Sequence, residues 1–310
     1  MNKRNLALGG LVVLLLALPF LVSNQFYLDV VIRIGINACV VIALNLMVGY
    51  AGQISLGHAG FFGLGAYFSA VMTTRYGWSP LSAMFVGAVA TGLLAFVIAK
   101  PILKLKSNYL AMATLGLGII ISIVLANETG ITGGPDGMPV PPLSIGGFEI
   151  SGARQWYWLI LAILILITLL AKNLINSPYG RALQALHGSE VAAKVAGIDV
   201  PKIKVSIFVI SAMVASFMGS LYAHYLEFIT PGISNFIHSI ELITMVVVGG
   251  MASIAGSIVG AALLTMLPQL LASFEGWETV VYGAILVVTM AFLPKGLVPS
   301  IAQKLFGRSK

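Results

Sequence analysis

Three hydrogen-bonding side chains, Gln53, Ser55 and His58, arrive together in GYAGQISLGHAGFFGLGAY, residues 49–67, among Gly49, Gly52 and Gly57 and an otherwise apolar neighbourhood. Non-helical backbone and polar groups are tolerated at membrane depth only where they are buried in protein or line a wet cavity. Such interruptions are where transporters place their pathways. Gly52, Gln53, Ser55, Gly57 and His58 are therefore candidates for a translocation path, although for His58 taken alone a packed, hydrogen-bonded role is favoured over a functional one. Two ionisable residues within apolar runs, Arg33 and Glu241, join the set, because a charge in a span usually faces the bundle interior or a cavity. Asp29 and Glu241 also fit solvated positions at the outer boundary. A proton or sodium relay would draw on more titratable groups than these.

Other chemistries have no motif to stand on. The sequence contains no G-x-x-x-x-G-K-[ST] phosphate loop, no H-E-x-x-H and no G-x-S-x-G. The single Cys39 offers no disulfide, no thiolate metal site and no C-x-x-C couple. No catalytic residue, metal or cofactor is expected in this chain. If its transport is active, the energy comes from a partner or an ion gradient.

The elements that must carry these residues are membrane helices. The chain has 310 residues, 59% apolar and 9% charged, far outside the composition of soluble domains. Stretches near the roughly 20 residues that cross hydrocarbon recur throughout. They fall at 6–23, 28–50, 55–74, 80–99, 109–127, 156–171, 205–226, 237–251, 254–272 and 279–293. The expected fold is an all-α, polytopic transmembrane helix bundle of about 8 to 10 spans, since 55–74 and 237–251 are short or glycine-broken and fit re-entrant segments too. One transmembrane permease domain over 1–310 is expected. Residues 1–23 place Lys3 and Arg4 ahead of an apolar run but offer no A-x-A site, which favours a first span over a cleaved leader.

Lys and Arg flanking spans stay on the cytoplasmic side. With both termini cytoplasmic, every Lys and Arg except Arg33, Arg75 and Arg154 falls inside. The net charge of +7 is then a signature of topology, and no nucleic-acid partner is expected. Two long connections follow. The outer one, 128–154, is rich in Gly-Gly, Pro-Asp-Gly and Pro-Pro and reads as an ordered, turn-rich loop or a plain connector. The inner one, 172–204, reads as helical: two turns over 180–187, then Ser189 capping a short helix over 190–196, with Gly197 in the left-handed position beyond it. Ala192, Ala193 and Ala196 carry too little apolar area to hold that helix on lipid, so it fits a partner's groove. Stripes of small residues, such as Ser55, Ala59, Gly63, Ala66 and Ala70, or Ala212, Ser216, Gly219 and Ala223, or Gly249, Ser253, Gly256 and Gly260, suit close helix packing.

Taken together, GYAGQISLGHAGFFGLGAY, the outer TGGPDG, the inner SPYGRALQALHGSEVAAKVAGID and VVVGGMASIAGSIVGAAL resemble the membrane subunits of bacterial branched-chain amino-acid ABC importers, in particular the permease with the longer external loop. The resemblance runs over nearly the whole chain. It implies a bacterial inner-membrane permease beside a second, homologous permease subunit, two cytoplasmic ABC ATPase subunits that bind ATP and Mg, and a periplasmic binding protein that delivers leucine, isoleucine or valine. By analogy Arg181, Ser189, Glu190, Ala193 and Gly197 belong to the coupling helix that docks on an ATPase, and Thr132, Gly133, Gly134, Asp136 and Gly137 seat the binding protein. Some importers carry E-A-A-x-x-x-G at the coupling helix; here one extra residue separates Glu190 from Gly197, while Ile207 keeps its place ten beyond the glycine. A permease for urea or short amides is the alternative within the class, and a self-sufficient secondary transporter or channel the alternative outside it.

Overall fold

The computed structural model describes Pro19 and residues 24–103, 107–271, 278–292 and 296–306. The expected first span, 6–23, lies outside the described residues, as do the chain termini and the flanking charges that would set their side. Helix α1, Gln25–Asn45, starts where the Asn24 side chain accepts from the Phe26 amide, and runs into a π-helical turn, Leu46–Tyr50. After an irregular stretch come α2, His58–Tyr76, and α3, Pro80–Ile102, the latter capped by Ser79 with proline in its first turn. Then follow α4, Ser107–Asn127, and α5, Ala153–Asn176. The polar connection folds as α6, Pro178–Gly188, and α7, Glu190–Val195. Beyond it lie α8, Val200–Leu226, α9, Phe236–Gly249, α10, Ile254–Leu271, α11, Glu278–Phe292, and α12, Leu297–Phe306.

Among the described residues, five helices are long and apolar enough to cross a membrane: Gln25–Tyr50, Pro80–Ile102, Tyr109–Asn127, Ala153–Asn176 and Val200–Leu226. Helix α2 is not among them although it has 19 residues. The reason is its position. It packs against α3, α4 and α8, so almost no face needs to be lipophilic, and glycine and hydroxyl residues replace leucine. The outer helices show the opposite economy: α1 is largely buried, whereas α5 is mostly exposed, with Ile165, Leu166, Leu169 and Leu170 facing outward. The closest approach is between α2 and α8. A Cβ added at Gly65 would lie 1.9 Å from the Ser216 carbonyl oxygen, and Ser220 Oγ donates to the Gly65 carbonyl at 2.8 Å. Thr91 on α3 joins them through a 2.9 Å bond to Ser216 Oγ. The small-residue stripes thus mark buried contact faces, as the sequence suggested, including Gly249 against Gly256 and Gly260.

One end of the bundle gathers the first turn of α1, the α2–α3 turn, the 128–152 connection and residues 227–235. The connection is ordered. Its first strand β1, Met138–Pro139, pairs antiparallel with β4, Phe228–Ile229, while β2, Ser144–Ile145, and β3, Phe148–Glu149, form a hairpin of their own. Arg75 donates to the Gly130 carbonyl, and His224, bonded to Ser69 Oγ at 2.8 Å, also meets the Pro141 carbonyl at 2.8 Å.

At the other end two helices are broken side by side. The α9–α10 break holds Gly250 and Ala252 at positive φ, a conformation that costs alanine of the order of 1 kcal/mol or more. Asn45 on α1 satisfies it. Its Nδ2 donates to the carbonyls of Gly250 (3.2 Å) and Ser253 (3.1 Å) and to Ser257 Oγ (2.7 Å), while its Oδ1 accepts from the Ala252 amide (2.9 Å). Asn45 is 1% exposed, so no solvent replaces these bonds. Asn45→Leu should strand buried backbone groups at a cost of about 3 kcal/mol, more than one lost hydrogen bond contributes. A lowered thermal unfolding midpoint in detergent, absent for Asn24→Ala at the exposed start of α1, is the expected result.

Candidate functional site

The glycine-rich stretch divides between packing and an unresolved polar contact. A Cβ at Gly57 would stand 2.1 Å from the Thr114 carbonyl oxygen, so the chain leaves the break pressed against α4. The Leu56 amide donates to Thr114 Oγ1, and the Ala59 amide to Ser239 Oγ. His58 is 1% exposed and bonds Ser55 Oγ at 2.9 Å through Nδ1 and Ser211 Oγ at 2.8 Å through Nε2. Both ring nitrogens and both hydroxyls are engaged in joining α2 to α8. Gln53 differs: it is buried, and neither its Oε1 nor its Nε2 has a hydrogen-bond partner. Gly52, at φ +67, lets the backbone turn beside the His187 ring of α6, whose Nδ1 would lie 2.9 Å from an added Cβ. The break therefore touches the polar 178–199 connection directly.

Arg33 and Glu241 lie elsewhere, on one cavity of about 470 Å³ between α1, α8, α9, α10 and the 230–235 segment. Its polar lining includes Asn37, Tyr222, Asn235 and His238, none of which stood out in the sequence, where a lone polar residue in an apolar run has no partner to reveal it. Asn37 Nδ2 donates to Thr265 Oγ1 at 2.9 Å, and His238 Nδ1 lies 3.1 Å from Glu241 Oε2. Gly52, Gln53, Ser55, Gly57 and His58 do not line this cavity. Asp29, near the start of α1, accepts from the Tyr225 hydroxyl at 2.6 Å.

The 178–199 connection folds much as its caps predict. Ser177 accepts from the Gly180 amide and Ser189 from the Ala192 amide. Helix α6 is longer at both ends than 180–187, because Pro178 suits the first turn. Gly197 has φ +80 and ends α7, and Ala193 is buried beneath it. Arg181 is exposed on α6, and Glu190 pairs with Lys204 at the start of α8. Tyr179 donates to the Ile203 carbonyl at 3.2 Å and shares a 2.5 Å bond with Ser206 Oγ; burial raises its pKa, against the opposing effect of the Ser206 bond. Val191 and Val195, four residues apart on α7, are 74% and 86% exposed. The alanines alone understated this helix: its projecting surface is a pair of valines.

In the other connection, Thr132 is buried and its Oγ1 donates to the carbonyls of Leu125 (2.8 Å) and Glu128 (2.7 Å). Gly133, Gly134 and Gly137 take the turn at positive φ, leaving Asp136 exposed at its tip. Among the described residues no group of three or more His, Cys, Asp or Glu could hold a metal ion.

Comparison with known proteins gives the arrangement a lineage. The chain is 32% identical, over 98% of its length and 77% of the relative's, to the high-affinity branched-chain amino acid transport system permease protein LivM of Escherichia coli K12. A probable branched-chain amino acid transport permease protein LivM of Methanocaldococcus jannaschii is 24% identical over 70% of this chain and 68% of its own. The Escherichia coli K12 permease protein LivH is 26% identical over 71% and 75%. No solved structure matches. The family model described as branched-chain amino acid transport system / permease component matches residues 26–290, from the first turn of α1 to the last of α11, and the chain belongs to that family.

Proposed function

We propose that this multi-pass membrane protein is one of two related permease subunits in an ATP-driven importer of leucine, isoleucine and valine in the bacterial inner membrane. Membership of the permease family, with similarity to both LivM and LivH, supports a paired assembly. The observation that carries the mechanism is the capped helix α7, which offers Val191 and Val195 to a partner and is seated on the bundle through Ala193 and the Glu190–Lys204 pair. A short rigid element with an apolar tip and a braced base transmits force to the helix it is braced against, here α8.

In this reading two ATPase subunits bind ATP and Mg, grip α7, and by closing displace α6–α7. The motion reaches α8 through the Glu190–Lys204 pair and reaches the broken 51–57 stretch through His187. Gly52, Gln53, Ser55, Gly57 and His58 then belong to the moving part that opens and closes the path, while Arg33 and Glu241 line it. The 128–152 connection, pinned by its strand pairing to residues 228–229, faces a periplasmic binding protein with Asp136 at its tip. This chain supplies no catalytic group; it moves solute.

Extraction of the tagged chain in mild detergent should recover a second permease and two ATPases by mass spectrometry; recovery alone, with uptake in liposomes lacking ATP, would sink the assembly. Val195 is 86% exposed, so Val195→Asp should leave the protein in the membrane while lowering ATP-dependent uptake at least about tenfold, the effect of losing roughly 1.4 kcal/mol of docking. Normal uptake would remove α7 from the coupling role. Asp136→Arg at the loop tip should raise the concentration of binding protein needed for half-maximal uptake without changing the maximum; an unchanged requirement would free the loop of that role.

A further inference from the structure

Arg33 is a cation inside the membrane-crossing length of α1, and it makes no hydrogen bond or ion pair among the described residues. The nearest acid on its own helix, Asp29, one turn away, is engaged by the Tyr225 hydroxyl. On the same cavity Glu241 uses Oε2 on His238, and among the described residues no bond holds its Oε1. Arg33, Tyr222 and Glu241 all line that one cavity. A bundle that keeps an unpaired cation and a half-used carboxylate facing one cavity bears a desolvation cost that water alone offsets only while the cavity stays open.

A free α-amino acid offsets both at once. Its carboxylate accepts two parallel hydrogen bonds from a guanidinium, and its ammonium matches a carboxylate. The remaining wall carries Phe62, Ile237 and Met245, a surface for an aliphatic side chain. The volume of about 470 Å³ lies in the range of small-molecule sites. Urea or a short amide brings neither charge and, on displacing water, would leave both groups uncompensated, which is how a site rejects a solute. We propose that this cavity is a transit site for zwitterionic aliphatic amino acids, with Arg33 holding the carboxylate and Glu241 the ammonium. The proposal rests on the import reading and names the part of this chain that reads the substrate. The carboxylate shared with His238 keeps the grip moderate, as release into the next stage of a path demands.

The test uses the complete importer in proteoliposomes with binding protein, ATP and radiolabelled leucine. Arg33→Gln and Glu241→Gln should each lower uptake at least tenfold while leaving hydrolysis stimulated by loaded binding protein within twofold of wild type, and Arg33→Lys should recover part of the uptake. Saturation-transfer NMR on the assembled complex without binding protein should show contact with millimolar leucine, weaker contact with isocaproate or isoamylamine, none with urea, and loss of the leucine signal in Arg33→Gln. Wild-type uptake in both Gln variants would overturn the site. Joint loss of uptake and stimulated hydrolysis in all three variants would overturn it too, in favour of a purely structural Arg33. Absence of ATP-dependent uptake by the wild-type assembly would instead refute the import reading, and the transit site with it.

Discussion

Hydrocarbon offers no hydrogen bonds, so every interruption of a membrane helix must find its partners within the protein. Asn45 is the place where this fold meets that demand. One amide side chain supplies donors to two carbonyls and a hydroxyl and an acceptor to one amide, and so ties α1 to the α9–α10 break. The π-helical turn just beyond it lets α1 continue to Tyr50 beside that break. The end of α9 and the start of α10 are held to α1 in this way, and all three helices contribute to the wall of the cavity that holds Arg33 and Glu241.

The polar residues consequently fall into two groups with different fates. Those on α2 and α8, His58, Ser69, Ser211, His224 and Ser220, are paired across a glycine-lined contact, with Ser55 joining His58 and Ser216 joining Thr91 on α3. Helix α2 has no need of an apolar face because α3, α4 and α8 enclose it. Those on α1 and α9 that face open space keep unspent charge. The separation is physical: a glycine-lined contact leaves no room for solute, and a site for solute cannot also be a dry contact.

Much of the fold was written in the periodic and terminal signals. The described spans begin and end within a few residues of their apolar runs, apart from the end of α5, which runs five residues past 171 through Lys172, and the start of α8, whose first turns hold Lys202 and Lys204. Ser189 and Gly197 marked both ends of α7, since a cap and a left-handed residue act locally. The charged pair Arg33 and Glu241 was legible as chemistry but not as one site, because a sequence separation of 208 (241 − 33) says nothing about proximity. Asn45, Asn37, Tyr222 and His238 were not legible at all. Each is a single polar residue whose meaning lies in what another helix brings to it. The same long-range dependence separates His58, satisfied by Ser211, from Gln53, satisfied by nothing described.

The contact between Gly52 and His187 gives the molecule a stiff linkage between a surface helix and an inner joint. The stretch 51–57 has no continuous helical ladder to resist bending, whereas α6 is a capped helix that moves as one piece. The His187 ring sits close beside Gly52, so a displacement of α6 toward the bundle would bear on the 51–57 stretch. The yielding element is then the hinge rather than the lever, and Gln53 within it carries an amide whose oxygen and nitrogen have no partner among the described residues.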